Sequence, residues 1–331
     1  MKNCASFEEI HTELLFLLST PGKEDEAVKL GEKAMEICPE NTEILFLCGL
    51  AFLDVSNYER ALDIFNRALE IDSKLAMAWF YRGITLGRLG KYEEELKSYD
   101  KALEIDPNLA NAWCNRGVVL GKLGEYKKAL DSFTKALEIK PDLEDAWYNR
   151  GVVLGLLGEH ESALNSFDKA LEIDPNDARA WYNRGVAFRN LGKHDAELKS
   201  YNKALEIDST LVYAWIGRGI TLGNLGMYVE ALNSFDKALE IDPNLADVWC
   251  NRGIALGRLG NHEAALKSFD RALEIDPHLA NAWCNRGIAL GNIGKYKEAL
   301  ASFDKALEID PNFDEARYNR QLVLELLKGK K

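Results

Sequence analysis

The side chains that could carry out acid–base chemistry are few and regularly spaced. His160, His194 and His262 lie 34 residues, or twice that distance, apart. The tyrosines that stand at the corresponding places elsewhere are Tyr92, Tyr126, Tyr228 and Tyr296. We interpret the histidines as substitutes for a packing tyrosine, too widely separated for any two to meet a nucleophile. The sequence has no glycine-rich phosphate loop, paired-histidine metal motif or nucleophile elbow. It predicts a protein that is not an enzyme and needs no cofactor or metal.

Cysteine spacing and charge exclude further classes of protein. None of the six cysteines forms a CxxC motif, so we predict neither a zinc site nor a disulfide framework. The net charge of −12 argues against a nucleic-acid binder or a protein held on an anionic membrane, because both depend on basic charge. Glu8, Glu9 and Glu13 interrupt any signal-peptide core, and the run Leu14–Leu18 is too short to span a bilayer. We expect a soluble protein of the reducing cytoplasm.

All seven tryptophans recur every 34 residues, which indicates an internal repeat. They are Trp79, Trp113, Trp147, Trp181, Trp215, Trp249 and Trp283. With the tryptophan at position four, the predicted repeats are 8–41, 42–75, 76–109, 110–143, 144–177, 178–211, 212–245, 246–279 and 280–313. The first two repeats lack the tryptophan but keep the frame. A short lead, 1–7, precedes them, and 314–331 is predicted to be a C-terminal capping helix.

Each repeat has the pattern of two helices. Positions four, eight and eleven form one apolar stripe at helical spacing, as in Trp113, Gly117 and Leu120. A glycine at position fifteen, such as Gly124, suits the left-handed backbone at a helix end. A second amphipathic helix then runs to the proline of position thirty-two, which cannot continue it. Since one helix pair cannot bury its own stripe, neighbouring repeats must stack. The fold class predicted is therefore an all-α solenoid.

The combined pattern of Trp, Gly, Leu, Tyr, Ala, Phe and Pro at these positions resembles the tetratricopeptide repeat (TPR) family along nearly the whole chain. The resemblance implies a right-handed superhelical solenoid of antiparallel helix pairs, in which first helices line a concave groove. It also implies an adaptor that holds a peptide or a partner helix in that groove. In the family, positions two, five, six, nine, twelve and thirteen of the first helix face the groove.

Position six carries a row of asparagines that we identify as candidate peptide-binding residues. The row consists of Asn115, Asn149, Asn183, Asn251, Asn285 and Asn319. Their amides can both donate and accept hydrogen bonds along an extended peptide backbone, and the row resembles the asparagine ladder of the sugar-transferring members of the family. The alternative interpretation is that asparagine is merely tolerated at this solvent-facing position.

Positions five, nine and twelve complete the predicted groove. Position five supplies apolar and stacking surface, with Phe80, Tyr148, Tyr182 and Tyr318 as candidate contacts and cysteine or isoleucine elsewhere. Position nine is an aliphatic row. Position twelve is glycine in six repeats, for which we expect close approach of neighbouring helices, with backbone left open to a ligand as the second explanation. The sixth repeat departs from this pattern, and we predict that Arg179, Arg189 and the following Tyr213 contribute specificity.

Position seven is arginine in every tryptophan-containing repeat and in the cap, where the family usually has leucine. A half-buried guanidinium needs a partner, so we predict acids at position twenty-five, twenty-nine or thirty-one, such as Asp168, Glu172 and Asp174. The sequence as a whole predicts a non-enzymatic scaffold that binds a protein or peptide, and neither nucleic acid nor membrane. The alternatives are a self-assembling structural solenoid, so that a homo-oligomer stays open, and a regulatory subunit of an enzyme carried on another chain.

Overall fold

A computed structural model of the protein describes residues 7–328, so the ends of the predicted lead (1–6) and of the predicted cap (329–331) lie outside the described residues. The described chain forms nineteen α-helices and no strand, which confirms the all-α class. The helices are α1 (Phe7–Leu18), α2 (Glu24–Ile37), α3 (Thr42–Asp54), α4 (Tyr58–Ile71), α5 (Ala76–Arg88), α6 (Tyr92–Ile105), α7 (Ala110–Lys122), α8 (Tyr126–Ile139), α9 (Glu144–Leu156), α10 (His160–Ile173), α11 (Ala178–Asn190), α12 (His194–Ile207), α13 (Val212–Asn224), α14 (Tyr228–Ile241), α15 (Ala246–Arg258), α16 (His262–Ile275), α17 (Ala280–Asn292), α18 (Tyr296–Ile309) and α19 (Asp314–Lys328).

The odd-numbered helices are the first helices of their repeats, and each packs along the second helix that follows it. The turn within a pair uses the glycine of position fifteen in the left-handed region, for example Gly124 at φ +78° and Gly260 at φ +79°. The chain divides into two compact units, an N-terminal unit that ends at Ile173 and a C-terminal unit that begins at Asp174.

Within a helix pair, close approach is set by the glycine of position eight. A Cβ added at Gly253 would lie 2.5 Å from Phe269 Cε1, and one at Gly151 would lie 2.7 Å from Phe167 Cε1. The facing aromatic ring belongs to position twenty-four of the second helix and is buried in the core. Only glycine therefore allows the first helix to rest directly on this ring.

Each tryptophan forms a hydrogen bond that joins the start of its repeat to the preceding loop. The indole Nε1–H donates to the backbone carbonyl of position thirty-two at 2.9–3.0 Å in all seven cases. In α19, which has no tryptophan, Arg317 Nη2 donates to the Pro311 carbonyl at 3.1 Å instead. The position of each first helix is thus fixed by a hydrogen bond to its own connecting loop as well as by apolar packing.

Successive first helices also contact one another within each unit. The pairs are α1–α3, α3–α5 and α7–α9 in the N-terminal unit, and α13–α15, α15–α17 and α17–α19 in the C-terminal unit. Successive second helices pack less closely in the described chain. Because the more closely spaced layer of a curved stack is the inner one, the first helices lie on the concave side of each unit. We call their outward surface, formed by positions two, five, six, nine, twelve and thirteen, the first-helix face.

Candidate functional site

The asparagine row lies on the first-helix face of both units, and all six of its members are half-buried. Four of them are anchored by their own helix, because their Nδ2 atoms donate to the backbone carbonyl four residues earlier. These four are Asn149 (2.7 Å), Asn183 (3.0 Å), Asn285 (2.9 Å) and Asn319 (2.9 Å). Anchoring through Nδ2 holds the amide in one orientation. An amide oxygen fixed in this way is suited to accept a hydrogen bond from a ligand.

Position five does not form a uniform surface. Phe80 is only 9% exposed and packs against the ring of Tyr99, with centroids 5.9 Å apart, which corrects its prediction as a groove contact. The cysteines of this position, Cys114, Cys250 and Cys284, are also buried. The tyrosines predicted at this position are more exposed than the phenylalanine and the cysteines. Tyr148 and Tyr182 are half-buried and Tyr318 is 71% exposed.

The expectation of close helix approach at position twelve is wrong for most repeats. A Cβ added at Gly155, Gly223 or Gly257 would meet no heavy atom within 4 Å. At Gly121 and Gly291 it would make only ordinary contacts, at 3.6 Å and 4.0 Å. Close approach belongs to position eight, four residues earlier on the same helix. The position-twelve glycines therefore leave helix backbone open on the first-helix face, which was the second explanation.

Gly87 is the exception to this openness. An added Cβ there would lie 2.6 Å from Glu95 Oε1, a carboxylate that lies beneath the helix and is 7% exposed. Tyr99 donates to Glu95 Oε1 at 3.1 Å. Burial raises the pKa of Glu95 above its usual range, while Tyr99 and the nearby Lys122 oppose the shift.

The arginine of position seven is structural. Arg116 shows the pattern: Nε donates to Asp100 Oδ1 at 2.7 Å and Nη1 donates to Ser132 Oγ at 2.6 Å. The guanidinium also lies over the ring of Trp113, 5.6 Å from its centroid. The Nε atoms of Arg252, Arg286 and Arg320 likewise form ion pairs with the aspartate of position twenty-five in the preceding repeat. Position twenty-five was one of the three predicted.

The other two predicted positions do not supply the acid. Glu172, at position twenty-nine, pairs instead with Lys169 at 2.6 Å. Asp174, at position thirty-one, accepts from the backbone N–H of Asn176 at 2.9 Å. These acids thus stabilise the second helix and the loop after it rather than the arginine row.

The predicted specificity residues lie at the start of the C-terminal unit. Arg179 is exposed and forms two hydrogen bonds of 3.1 Å with the carboxylate of Asp177, the residue that caps α11. Arg189 is exposed at the other end of the same helix, and Tyr213 is 71% exposed on α13. Tyr182 lies between them, with its ring 5.9 Å from that of the buried Tyr201.

Sequence reasoning missed two buried pairs that lie under this face. In the third and sixth repeats, glutamate replaces the usual alanine of position twenty, and tyrosine replaces the usual phenylalanine of position twenty-four. The residues are Glu95 and Tyr99, which are hydrogen-bonded to each other, and Glu197 and Tyr201, which are not. All four side chains are buried. The signal was present as a double departure from the repeat, in the same two repeats.

The other reactive groups of the described chain are cysteines and possible metal ligands. Burial raises the pKa of the Cys114, Cys250 and Cys284 thiols to about 12, so these thiols stay protonated and unreactive at neutral pH. Cys38 is disulfide-bonded, which the cysteine spacing did not predict. Within residues 7–328, no group of three His, Cys, Asp or Glu side chains is placed to hold a metal ion. Over the same residues, no helix combines the length and apolar composition that crossing a membrane requires.

The repeats are recognised by comparison with known families. The tetratricopeptide repeat model matches residues 110–143, 144–177, 212–245, 246–279 and 280–313, more than half of the chain and in the frame defined by the tryptophans. A TPR repeat model matches residues 87–124, and a further tetratricopeptide repeat model matches residues 166–199. Among curated proteins, none matches this chain.

Several solved structures share the fold. YrrB, described as a TPR protein with an unusual peptide-binding site, is 29% identical over 56% of this chain and 95% of its own, with a TM-score of 0.51. A tetratricopeptide repeat protein from Parabacteroides merdae is 21% identical over 75% of this chain and 98% of its own, with a TM-score of 0.53. The APC/C Cut9–Hcn1 structure is similar over 98% of this chain and 63% of its own, at 18% identity and a TM-score of 0.54.

Proposed function

Since the chain belongs to the tetratricopeptide repeat family, we propose that it is a non-enzymatic interaction scaffold that binds an extended segment or a helix of another protein. The binding surface is the first-helix face of each unit. YrrB, with its peptide-binding site, supports this proposal at 29% identity. The scaffold needs no cofactor, because recognition uses amide, aromatic and aliphatic side chains together with exposed helix backbone.

The observation that carries the proposal is the open glycine of position twelve. Glycine in place of alanine within a helix costs about 0.5–1 kcal/mol. At Gly155, Gly223 and Gly257 no neighbouring atom of the chain requires this loss. A polypeptide laid against the first helices does require it, because a side chain at this position would hold the bound backbone away from the helix.

The amide row and the aliphatic row supply the contacts on either side of these glycines. Asn149 and Asn285 have their Nδ2 atoms bound to their own helix, so their amide oxygens accept from peptide N–H groups. Val152 and Ile288 of position nine are half-buried and give apolar surface next to the amides. An extended peptide thus finds acceptors and apolar contact at each repeat that carries the asparagine.

Selection from a displayed library of random dodecapeptides tests this assignment. We expect the full chain to retain a family of peptides. The double variant Asn285→Ala/Asn319→Ala, which changes two anchored amides of the C-terminal unit, should bind them at least about tenfold more weakly, since two lost hydrogen bonds are worth about 1–3 kcal/mol together. The matched control is Lys203→Ala/Lys237→Ala on the second helices, whose exposed side chains pair only with acids one turn away. Equal loss in both double variants, or in neither, would refute the assignment to the first-helix face.

Self-association is a second candidate function, favoured by α1. Most of the apolar excess of the first two repeats is core, since Leu14, Leu17, Ile44 and Leu45 are buried. Phe16, however, is 62% exposed on α1. Leu15 beside it is 46% exposed, and apolar side chains exposed together are the kind of surface that a second copy would cover. Sedimentation of the intact chain and of Phe16→Ser over a range of concentrations tests it, and a strict monomer at high concentration would rule it out.

A further inference from the structure

The helix α12 places a tyrosine hydroxyl beneath the one gap in the asparagine row of the C-terminal unit. Tyr201 is fully buried, and its ring rests on the backbone of Gly185 and of Gly217. Gly217 occupies position six, where the neighbouring repeats have Asn183 and Asn251. A Cβ added at Gly217 would lie 3.0 Å from the Tyr201 hydroxyl. The hydroxyl therefore lies next to the place that the Cβ of the asparagine occupies in the neighbouring repeats.

This hydroxyl has no hydrogen-bond partner among the described residues. The equivalent hydroxyl in the third repeat, that of Tyr99, donates to Glu95 at 3.1 Å. A buried polar group left unpaired costs about 1–3 kcal/mol, and the phenylalanine of other repeats, such as Phe235, would avoid that loss. The hydroxyl is thus unexplained by packing within the chain.

The glutamate that could have paired with it is held elsewhere. Thr221 Oγ1 donates to Glu197 Oε1 at 2.5 Å, and His194 Nδ1 lies 3.0 Å from Glu197 Oε2. Both carboxylate oxygens therefore have partners other than Tyr201.

Arg189, on α11, is exposed and forms no ion pair or hydrogen bond within residues 7–328. It stands at position twelve, where the other tryptophan-containing repeats have glycine. Its charge acts on the hydroxyls of Tyr182 and Tyr201, where it opposes the rise in pKa that burial causes in both. Both phenols stay protonated at neutral pH and can donate. The first-helix face thus carries an unpaired guanidinium whose charge acts on an unpaired O–H buried beneath it.

We propose that Arg189 and Tyr201, with Tyr182 beside them, form a binding site for an aspartate or glutamate side chain of the peptide held on the first-helix face. This inference rests on the proposed function and adds the chemistry of one ligand residue. The guanidinium pairs with the carboxylate, and the Tyr201 hydroxyl donates to it through the gap at Gly217. The C-terminal unit repels an acidic ligand less than the N-terminal unit does, since residues 174–331 carry 22 acidic and 21 basic side chains, against 31 and 20 in residues 1–173.

The test uses peptides selected on the full chain from the random dodecapeptide library. We expect one position of the selected set to be enriched in aspartate or glutamate. Replacement of that residue by its amide should weaken binding to the unmodified chain about fivefold or more, measured by fluorescence anisotropy. In Arg189→Gln and in Tyr201→Phe this preference for the acidic peptide should fall to about twofold or less, because each variant loses one of the two groups that contact the carboxylate. Tyr201→Phe removes only a hydroxyl that has no partner, so it should melt no lower than the unmodified chain.

The control variant is Tyr99→Phe, which changes the equivalent residue of the N-terminal unit and should keep the acid preference. A set of binders with no acid preference, or a preference that survives in Arg189→Gln and Tyr201→Phe, would overturn this inference while leaving the proposed function in place. Failure to select any peptide would overturn both. Loss of binding on C-terminal amidation of the selected peptide would assign the carboxylate to the chain end and overturn the side-chain assignment.

Discussion

Two glycines of one first helix, one in close contact with a core ring and one with open space beside it, are expected to respond in opposite ways to substitution by alanine. Gly253 and Gly257 lie four residues apart on α15, so they differ in surroundings and not in the type of element. A Cβ at Gly253 would lie 2.5, 2.8 and 2.9 Å from three ring atoms of Phe269, a side chain 2% exposed. A Cβ at Gly257 would meet nothing within 4 Å. The substitutions Gly253→Ala and Gly257→Ala should therefore change the free energy of unfolding in opposite directions.

The magnitudes follow from two contributions. Alanine in place of glycine favours the helix by about 0.5–1 kcal/mol at either position. At Gly253 this gain is exceeded by overpacking against Phe269, which costs about 1–3 kcal/mol. We expect a net loss of about 1–2 kcal/mol for Gly253→Ala and a net gain of about 0.5–1 kcal/mol for Gly257→Ala.

Urea unfolding followed by far-ultraviolet circular dichroism gives the sign of each change, as a lower or higher midpoint. Because repeat arrays do not always unfold in one step, hydrogen exchange of α15 and α16 should locate the effect in that helix pair. If both variants shifted the midpoint in the same direction, the assignment of close contact to position eight and of openness to position twelve would be wrong. Under the proposed function, Gly257→Ala should also weaken peptide capture while it stabilises the chain.

Three further predictions concern the arginine, cysteine and tryptophan positions. Arg116→Lys should lower the free energy of unfolding by about 1–2 kcal/mol, measured in urea. Arg150→Lys should lower it by less, because within residues 7–328 Arg150 has no acid partner and donates to a serine at 2.8 Å. Burial raises the pKa of Cys250 from 9.0 to about 12. The unfolded thiol then loses its proton first, so stability falls by up to about 1.4 kcal/mol per pH unit between those values. Cys250→Ala should reduce that loss when unfolding at pH 8 and pH 10.5 is compared. Trp249→Phe loses an indole hydrogen bond of 3.0 Å and should cost about 1 kcal/mol or more in thermal melting.

The sequence was sufficient for the fold because the evidence for each helix pair is repeated many times. The tryptophan, the glycine of position fifteen and the proline of position thirty-two are boundary signals that depend only on local backbone chemistry. The partner of Arg116 was narrowed to three candidate positions by the same reasoning. Selecting position twenty-five, and so Asp100, required the distances between side chains of neighbouring repeats. The period of the sequence does not give these distances.

The candidate site was less predictable, because surface and core positions of the first helix carry the same residue types. Both Gly253 and Gly257 are helical glycines, and only the ring of Phe269 distinguishes them. At position five, Cys250 is buried in the core whereas Tyr318 is exposed. Burial there does not follow side-chain size, since the large Phe80 is also buried. It depends on how far the neighbouring helices cover the position, which is a property of the packed structure.

The departures from the repeat are more informative about function than the repeat itself. Features shared by most repeats, such as the tryptophan and arginine rows, are accounted for by hydrogen bonds within the chain. The sixth and seventh repeats instead combine four departures, Glu197, Tyr201, Arg189 and Gly217. Two of them, Glu197 and Gly217, together leave the other two without partners: Glu197 bonds to other residues, and Gly217 supplies no side chain. Because a solenoid built from interchangeable repeats gains nothing in stability from such a combination, its unpaired guanidinium and hydroxyl are best explained by a ligand that completes them.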